Sequence, residues 1–319
     1  MKWIKLGKIF DPTEHVLPNN CKEFAQSPQT LIFDNFIRIY FSTREMDRTG
    51  KYLSHIAFVD IDKSFKKILS ISNKTVIDLG ALGTFDEHGI FPLNILKDED
   101  RIYGYIGGWN RRVSVSVDGA IGLAESKDNG ETFSRLGDGP ILSASPDEPF
   151  LIGDPFVLKI NGIFHMWYIY GTKWIWNEEN KNKERIYKIG HASSVDNINF
   201  TKSNKKLVAD KEDETECQAL PTVLFHNGKY HMIFCFRQAT GFRDEKSKGY
   251  RLGYAFSEDG ITWTRNDDIL GFNVSDTGWD SDMLCYPHLT TFDNKIYLLY
   301  NGNQFGKYGF GVALLDGEL

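Results

Sequence analysis

The sequence predicts an all-β chain, and three observations carry that prediction. The first is composition: 23 Phe, 14 Tyr, 7 Trp and 29 Gly stand among 319 residues, with no long Ala/Leu/Glu run at helical spacing. Aromatic, β-branched and glycine residues in that proportion favour short strands joined by turns. The second is a recurring proline. Pro28, Pro92, Pro155, Pro221 and Pro287 are separated by 64, 63, 66 and 66 residues. The third is that the two ends read as complementary fragments of one repeat. Together they predict a five-bladed β-propeller with four-stranded blades, built as a single domain over residues 1–319.

Each repeat justifies its own elements in order. An apolar strand surrounds the proline, as in Asp154-Pro155-Phe156-Val157-Leu158 and Leu220-Pro221-Thr222-Val223-Leu224. A turn follows, and Asn161-Gly162 and Asn227-Gly228 are strong hairpin signals. An aromatic second strand comes next, such as Phe164-His165-Met166-Trp167-Tyr168. A third strand carries small residues, as in Lys188-Ile189-Gly190-His191-Ala192. Three repeats then show a Ser-x-Asp turn at Asp128, Asp196 and Asp259, whose carboxylates are expected to accept backbone N–H bonds and so to be structural. The last repeat stops after its third strand, while Trp3 to Phe10 resembles an orphan fourth strand. That strand is expected to complete the last blade and close the ring, which removes two exposed edges.

Charge and cysteine usage narrow the partners. Lys plus Arg total 37 against 43 Asp plus Glu, a net charge of −6 with no basic block, so no nucleic-acid surface is expected. No apolar run is long enough to span a membrane, and the first residues lack the apolar stretch of a secretory signal. Cys21, Cys217, Cys235 and Cys285 lie far apart without a CxxC pair, which predicts free thiols and a cytoplasmic setting. The eight His residues form no HxH or HExxH pattern, and no glycine-rich phosphate loop or nucleophile elbow occurs. No metal and no cofactor are therefore expected.

In a propeller the first strand of each blade lines the axis, so residues preceding each proline converge on one end of the channel. Five positions before each proline stand Glu23, Glu87, Phe150, Glu216 and Asp282, and Asp154 directly precedes its proline. Carboxylates gathered round one axis repel one another unless water, cations or ligand hydroxyls offset them, so the set reads as a site. Tyr286 takes the place of Asp154 in the fifth repeat. The ends of the second strands supply Arg44, Trp109, Asn110, Trp174, Arg237, Gln238, Asn301 and Asn303, with Arg111 and Arg112 nearby. Aromatic faces stack on sugar C–H faces, amides and guanidinium groups bond hydroxyls, and the arginines suit carboxylates or a phosphate. His88 and His288 fall near the channel. A sugar or oligosaccharide partner, nucleotide- or phosphate-linked in one version, is expected. Trp167 and Trp263 are expected to pack between blades.

On these residues the chain resembles the five-bladed propeller glycosidases, the superfamily of invertase-like fructosidases, arabinanases with β-xylosidases, and mannoside phosphorylases. Gly153-Asp154-Pro155 resembles their Asp-Pro signature, which implies an orienting or pKa-tuning role for Asp154. Glu216-Cys217 resembles their Glu-Cys motif, which implies that Glu216 is the acid/base. Ser27 stands where those families carry an Asp, and the third carboxylate then falls to Asp282, Glu87 or Glu23. The set Phe85-Asp86-Glu87-His88-Gly89, Gly108-Trp109-Asn110, Trp279-Asp280-Ser281-Asp282 and Tyr300-Asn301-Gly302-Asn303 is similar to a narrower branch. That branch includes the propeller part of plant glucosamine inositolphosphorylceramide transferases and proteins of bacterial surface-glycan biosynthesis. The resemblance implies cleavage or transfer of a glycosidic bond by carboxylates on the axis. Its alternatives are glycosyl transfer, an accessory role in polysaccharide assembly, and a non-catalytic sugar-binding propeller.

Overall fold

A computed structural model describes residues 1–319, and it is all-β apart from a few single helical turns. Three sheets have four strands each. One runs Ile152–Ile160, Ile163–Asn177, Asn182–Ser194, Thr201–Lys202; the next runs Cys217–His226, Lys229–Arg237, Arg251–Ser257, Thr264–Arg265. In the third, the N-terminal strand Trp3–Phe10 lies beside Phe310–Leu315, followed by Lys295–Asn301 and Cys285–Phe292. The fourth sheet has eight strands, drawn from the first two repeats. Its halves meet at a single parallel bridge between Ser54 and Gly89. Strand pairing within every sheet is otherwise antiparallel, as short hairpin loops demand.

The strand that carries the proline is innermost in each repeat. These inner strands pack against one another in chain order, and Cys285–Phe292 returns to pack against Glu23–Ile32. Side chains tie each neighbouring pair. Asn94 donates to Gln29 Oε1 at 2.8 Å and accepts the Val157 N–H at 2.9 Å. Asp154 accepts the Leu220 N–H at 3.2 Å, and Thr222 Oγ1 accepts the Leu289 N–H at 2.9 Å. His288 Nε2 lies 2.9 Å from Thr30 Oγ1, between the fifth repeat and the first.

Each inner strand breaks its ladder register at the proline. Proline has no N–H to offer the ladder, so the strand bulges there. Ser27, Asp154, Leu220 and Tyr286, which precede four of the prolines, take the left-handed φ values 55°, 50°, 46° and 55°, and the Phe91–Pro92 peptide is cis. A left-handed backbone costs a non-glycine residue roughly 1–3 kcal/mol, and such strain concentrates where side chains must be aimed.

The apolar core lies between sheets. Its largest cluster holds 34 buried residues from the third to fifth repeats, among them Trp167, Phe234 and Tyr300. Trp167 and Trp263 both donate to the Gly260 carbonyl, at 3.1 and 3.0 Å, and pack between sheets as expected. The Ser-x-Asp turns are structural. Asp128 accepts the Thr132 N–H, Asp196 those of Ile198 and Asn199, and Asp259 those of Ile261 and Thr262. No helix is long and apolar enough to cross a membrane.

Candidate active site

A cavity of about 740 Å³ opens where the inner strands bulge. The bulges aim Phe91, Asp154 and Tyr286, all residues that precede a proline, into its wall. The second strands contribute Arg44, Trp109 and Arg111, and the third-repeat hairpin contributes Arg185 and Tyr187. Tyr250 comes from the fourth repeat and closes the wall near Tyr286, the two ring centres lying 5.7 Å apart.

Asp154 is the wall's one carboxyl group without a cation bonded to it. Only 7% of the residue is exposed. Burial pushes its pKa up to about 7, although the Leu220 N–H bond and the positive charge of Arg185 pull the other way. A carboxyl that titrates near neutrality can hold a proton and release it within one catalytic cycle.

Cations dominate the rest of the wall: Arg44, Lys51, Arg111, Arg112, Arg185 and Arg243. Three are neutralised locally. Arg111 pairs with Asp47 at 2.7 Å, Arg243 with Glu184 at 2.9 Å, and Arg112 with Asp118. Arg44 is different. Its guanidinium donates to Gln26 Oε1 at 2.7 and 3.0 Å and to the Ser54 hydroxyl, all neutral groups. Burial pushes its pKa down, and no carboxylate is among the groups that favour its ionisation. Arg185 likewise forms no ion pair, and its guanidinium lies 6.0 Å from the Tyr187 ring centre. Two guanidinium groups without counter-charges, beside a carboxyl that favours its neutral form, make a receptor for an oxyanion.

The structure brings Asp154, Arg44, Trp109 and Tyr286 of the expected set together. Trp109 donates to the Ser54 hydroxyl at 3.0 Å, the same hydroxyl that Arg44 reaches. The other expected carboxylates stand elsewhere, which corrects the sequence expectation of an acidic ring. Glu216 is fully buried. It accepts N–H bonds from Lys211 and Glu212 and pairs with Arg265 at 2.7 Å, so it braces a loop rather than facing the cavity. Asp282 pairs with Lys246, which holds its carboxyl below the usual range, and it lies off the cavity wall. Glu87 accepts the Gly83 N–H at 3.0 Å in the loop ahead of its strand. The physical reason is common to all three. Positions five before each proline lie in the lead-in to the inner strand, where the chain is still outside the bulge.

The remaining expected residues also take structural places. His88 stacks on Trp109 with ring centres 6.1 Å apart, outside the cavity wall. Asn110 donates to the Thr84 carbonyl, and Trp174 packs on the core, opposite Arg185 in the hairpin ladder. His288 is buried between repeats, and burial pushes its pKa down to about 3. Asn301 accepts the Ser27 N–H and donates to the Ala25 and Gly309 carbonyls, while Asn303 braces the backbone at Asp282. Arg237 and Gln238 line a separate hollow of about 410 Å³. Arg185, Tyr187 and Tyr250 were not anticipated. Arg185 and Tyr187 alternate on one strand, so both face the same way, a pattern visible in Glu184-Arg185-Ile186-Tyr187. No three His, Cys, Asp or Glu side chains converge to hold a metal ion.

No family model matches the chain. Over 317 residues it is 32% identical to the uncharacterized protein Rv1502 of Mycobacterium tuberculosis, covering 99% of this chain and 100% of that one. It is 30% identical over 143 residues to a 1,2-beta-oligomannan phosphorylase of a Thermoanaerobacter species, covering 43% and 45% of the two chains. Among solved structures, a glycosyl hydrolase from Bacteroides ovatus superposes with a TM-score of 0.73 at 15% identity, covering 99% of this chain and 94% of that one. A structure from the GH130 family of mannoside phosphorylases and hydrolases gives 0.71 at 13% identity, with the same coverage. At these identities the likeness concerns the fold, which is the all-β fold of the propeller glycosidases.

Proposed function

This chain belongs to the family of Rv1502 and MT1551 of Mycobacterium tuberculosis, and we propose that it is an enzyme that breaks or forms glycosidic bonds with phosphate as the reaction partner. The observation that carries this reading is the pairing of one carboxyl of pKa about 7 with two uncompensated guanidinium groups in one cavity. Hydrolysis by two carboxyl groups needs a second carboxylate as base or nucleophile. Here Ser27 occupies the corresponding place in the first repeat, and its hydroxyl is buried without a partner. Phosphate brings its own nucleophilic oxygen, so a second carboxylate is not required. The Thermoanaerobacter relatives, named as 1,2-beta-oligomannan and beta-1,2-mannobiose phosphorylases, support the same choice.

A phosphate oxygen attacks the anomeric carbon while the bond from that carbon to the leaving oxygen breaks. Asp154 gives its proton to the leaving oxygen, directly or through a sugar hydroxyl, and the released sugar is an alcohol. Hydrogen phosphate carried a proton into the new glycosyl phosphate, and that proton returns to Asp154. Arg44 and Arg185 hold the phosphate, and Trp109 offers an aromatic face to the sugar. In reverse, a glycosyl phosphate is joined to an acceptor, which is the direction an assembly role in surface glycans would use.

The same reading takes the sheets as five four-stranded blades in one domain over residues 1–319. The ring of inner-strand contacts supports this, as does the single bridge joining the two halves of the larger sheet. Four buried, unpaired cysteines are consistent with a reducing, cytoplasmic setting. The test is an assay of β-1,2-linked manno-oligosaccharides with and without phosphate. Phosphate-dependent release of a glycosyl phosphate, lost by about 10²–10⁴-fold in Asp154→Asn, is the expected result. Turnover that ignores both phosphate and Asp154 overturns the reading.

A further inference from the structure

The cavity wall continues inward through a line of hydroxyl groups to a buried cation. Tyr187 and Tyr250 line the cavity, and their hydroxyl oxygens are 2.7 Å apart. Behind them, Arg237 Nε donates to Tyr250 Oη at 3.3 Å. Arg237 is only 3% exposed. Its other bonds go to the Gln238 and Ala239 carbonyls at 2.8 and 3.2 Å, and its guanidinium lies 3.6 Å from the Phe242 ring centre. No carboxylate is among the groups that favour its ionisation.

Chemistry fixes the roles along this line at its Arg237 end. A guanidinium has N–H donors and no acceptor. Tyr250 Oη therefore receives the Arg237 N–H, and a donor chain that runs one way then has its own proton go to Tyr187, the one other hydroxyl bonded to it. In that arrangement Tyr187 Oη accepts the proton, and it makes no other hydrogen bond within the chain. Its proton is thus directed at whatever occupies the cavity. Burial pushes the pKa of both phenols up, so each keeps its proton across the working pH range.

We propose that Arg237, Tyr250 and Tyr187 form a one-way donor chain that presents the Tyr187 hydroxyl proton to a phosphate oxygen of the bound ligand. Tyr187 is then a specificity-determining contact that selects an oxygen acceptor over a hydroxyl donor. Arg237 and Tyr250 are positioning residues that fix its direction. Arg185, two residues away on the same strand, supplies the charge, and Tyr187 supplies a directed bond beside it. The inference rests on the reading above that the cavity takes phosphate.

The test uses the whole chain labelled with fluorotyrosine, the Tyr187 resonance being assigned by its absence in Tyr187→Phe. Affinity for inorganic phosphate is measured by calorimetry on the unlabelled variants. Tyr187→Phe is expected to weaken phosphate binding by about tenfold or more. Tyr250→Phe and Arg237→Met are expected to shift the Tyr187 resonance in the ligand-free protein and to weaken phosphate several-fold. Arg237→Lys, still a pure donor, is expected to restore both. If Arg237→Met fails to fold, Tyr250→Phe removes one hydroxyl at constant shape and carries the same test. Wild-type phosphate affinity in Tyr187→Phe overturns the proposal, as does a Tyr187 resonance indifferent to Tyr250→Phe. If the unaltered protein takes no phosphate, the phosphate reading fails by itself. The ligand-free resonance then still decides whether the donor chain exists.

Discussion

At Asp154 the same burial that makes a proton donor also makes a stability liability. The folded-state pKa of about 7 lies above the ordinary 3.8, so the folded chain favours the protonated acid. That preference is fully present below about pH 4 and is lost as pH rises through about 7. Proton donation to a leaving group is therefore expected to fade above neutrality, and turnover against pH should fall with an apparent pKa near 7. Asp154→Asn removes the buried charge. Its melting temperature should exceed that of the unaltered chain more at about pH 8 than at about pH 5, by a difference worth at most about 3 kcal/mol. An equal offset at both pH values would show that Asp154 titrates in its ordinary range. Arg44 makes the complementary case. A cation held by Gln26 and Ser54 alone is costly to bury. Arg44→Met is expected to raise the melting temperature while weakening phosphate about tenfold or more, since a charge-assisted bond is worth roughly 1.5–3 kcal/mol. A loss of stability with unchanged phosphate affinity would make Arg44 structural.

At the scale of the element, the inner strands show which features were legible and which were not. The prolines announced themselves by spacing, and their chemistry explains the bulges, because a residue without an N–H cannot sustain the ladder. The Ser-x-Asp turns were legible because their bonds are local: Asp259 reaches only Ser257, Ile261 and Thr262. Glu216 was not legible, because its partner Arg265 stands 49 residues away and nothing near Glu216 announces it. The offset of Glu216 from its proline matched that of other acids. Yet a lead-in loop, unlike a ladder, has no fixed period, so equal offsets did not mean equal orientation. Arg185 and Tyr187 lay on a third strand, away from the strand ends where ligand contacts were sought. The ties between neighbouring inner strands give a prediction of their own. Thr222→Val keeps the shape of the side chain but leaves the Leu289 N–H without an acceptor. The cost should be about 1–3 kcal/mol, read as a melting temperature lowered by several degrees. Phosphate affinity should be unaffected, because Thr222 lies outside the cavity wall. Full retention of stability would mean that the inner strands are held by apolar packing alone.

For the whole molecule, the decisive joint is the one between the two ends of the chain. Trp3–Phe10 pairs with Phe310–Leu315, so the last sheet has its fourth strand only because the first residues supply it. Side chains fasten that strand as well. Lys5 Nζ donates to Asp280 at 2.7 Å, where the carboxylate is almost wholly buried, and also to Ser275 Oγ and the Asn273 carbonyl. Phe10 enters the core beside Phe41 and Phe310. The ends themselves are neighbours, since the Asp316 N–H donates to the Lys2 carbonyl at 2.8 Å. Two manipulations should therefore give opposite results although both break the natural order. Removing residues 1–10 bares the edge of Phe310–Leu315, leaves Asp280 buried without its cation, and opens the core at Phe10. Joining the ends through a short linker and reopening the chain at the exposed tip Asn180–Lys181 keeps every one of those contacts. The truncated chain is expected to aggregate on size-exclusion chromatography. The permuted chain should elute as the unaltered protein does, with its phosphate affinity intact. A soluble truncated chain with an unchanged melting transition would mean that the fold does not depend on its ends meeting.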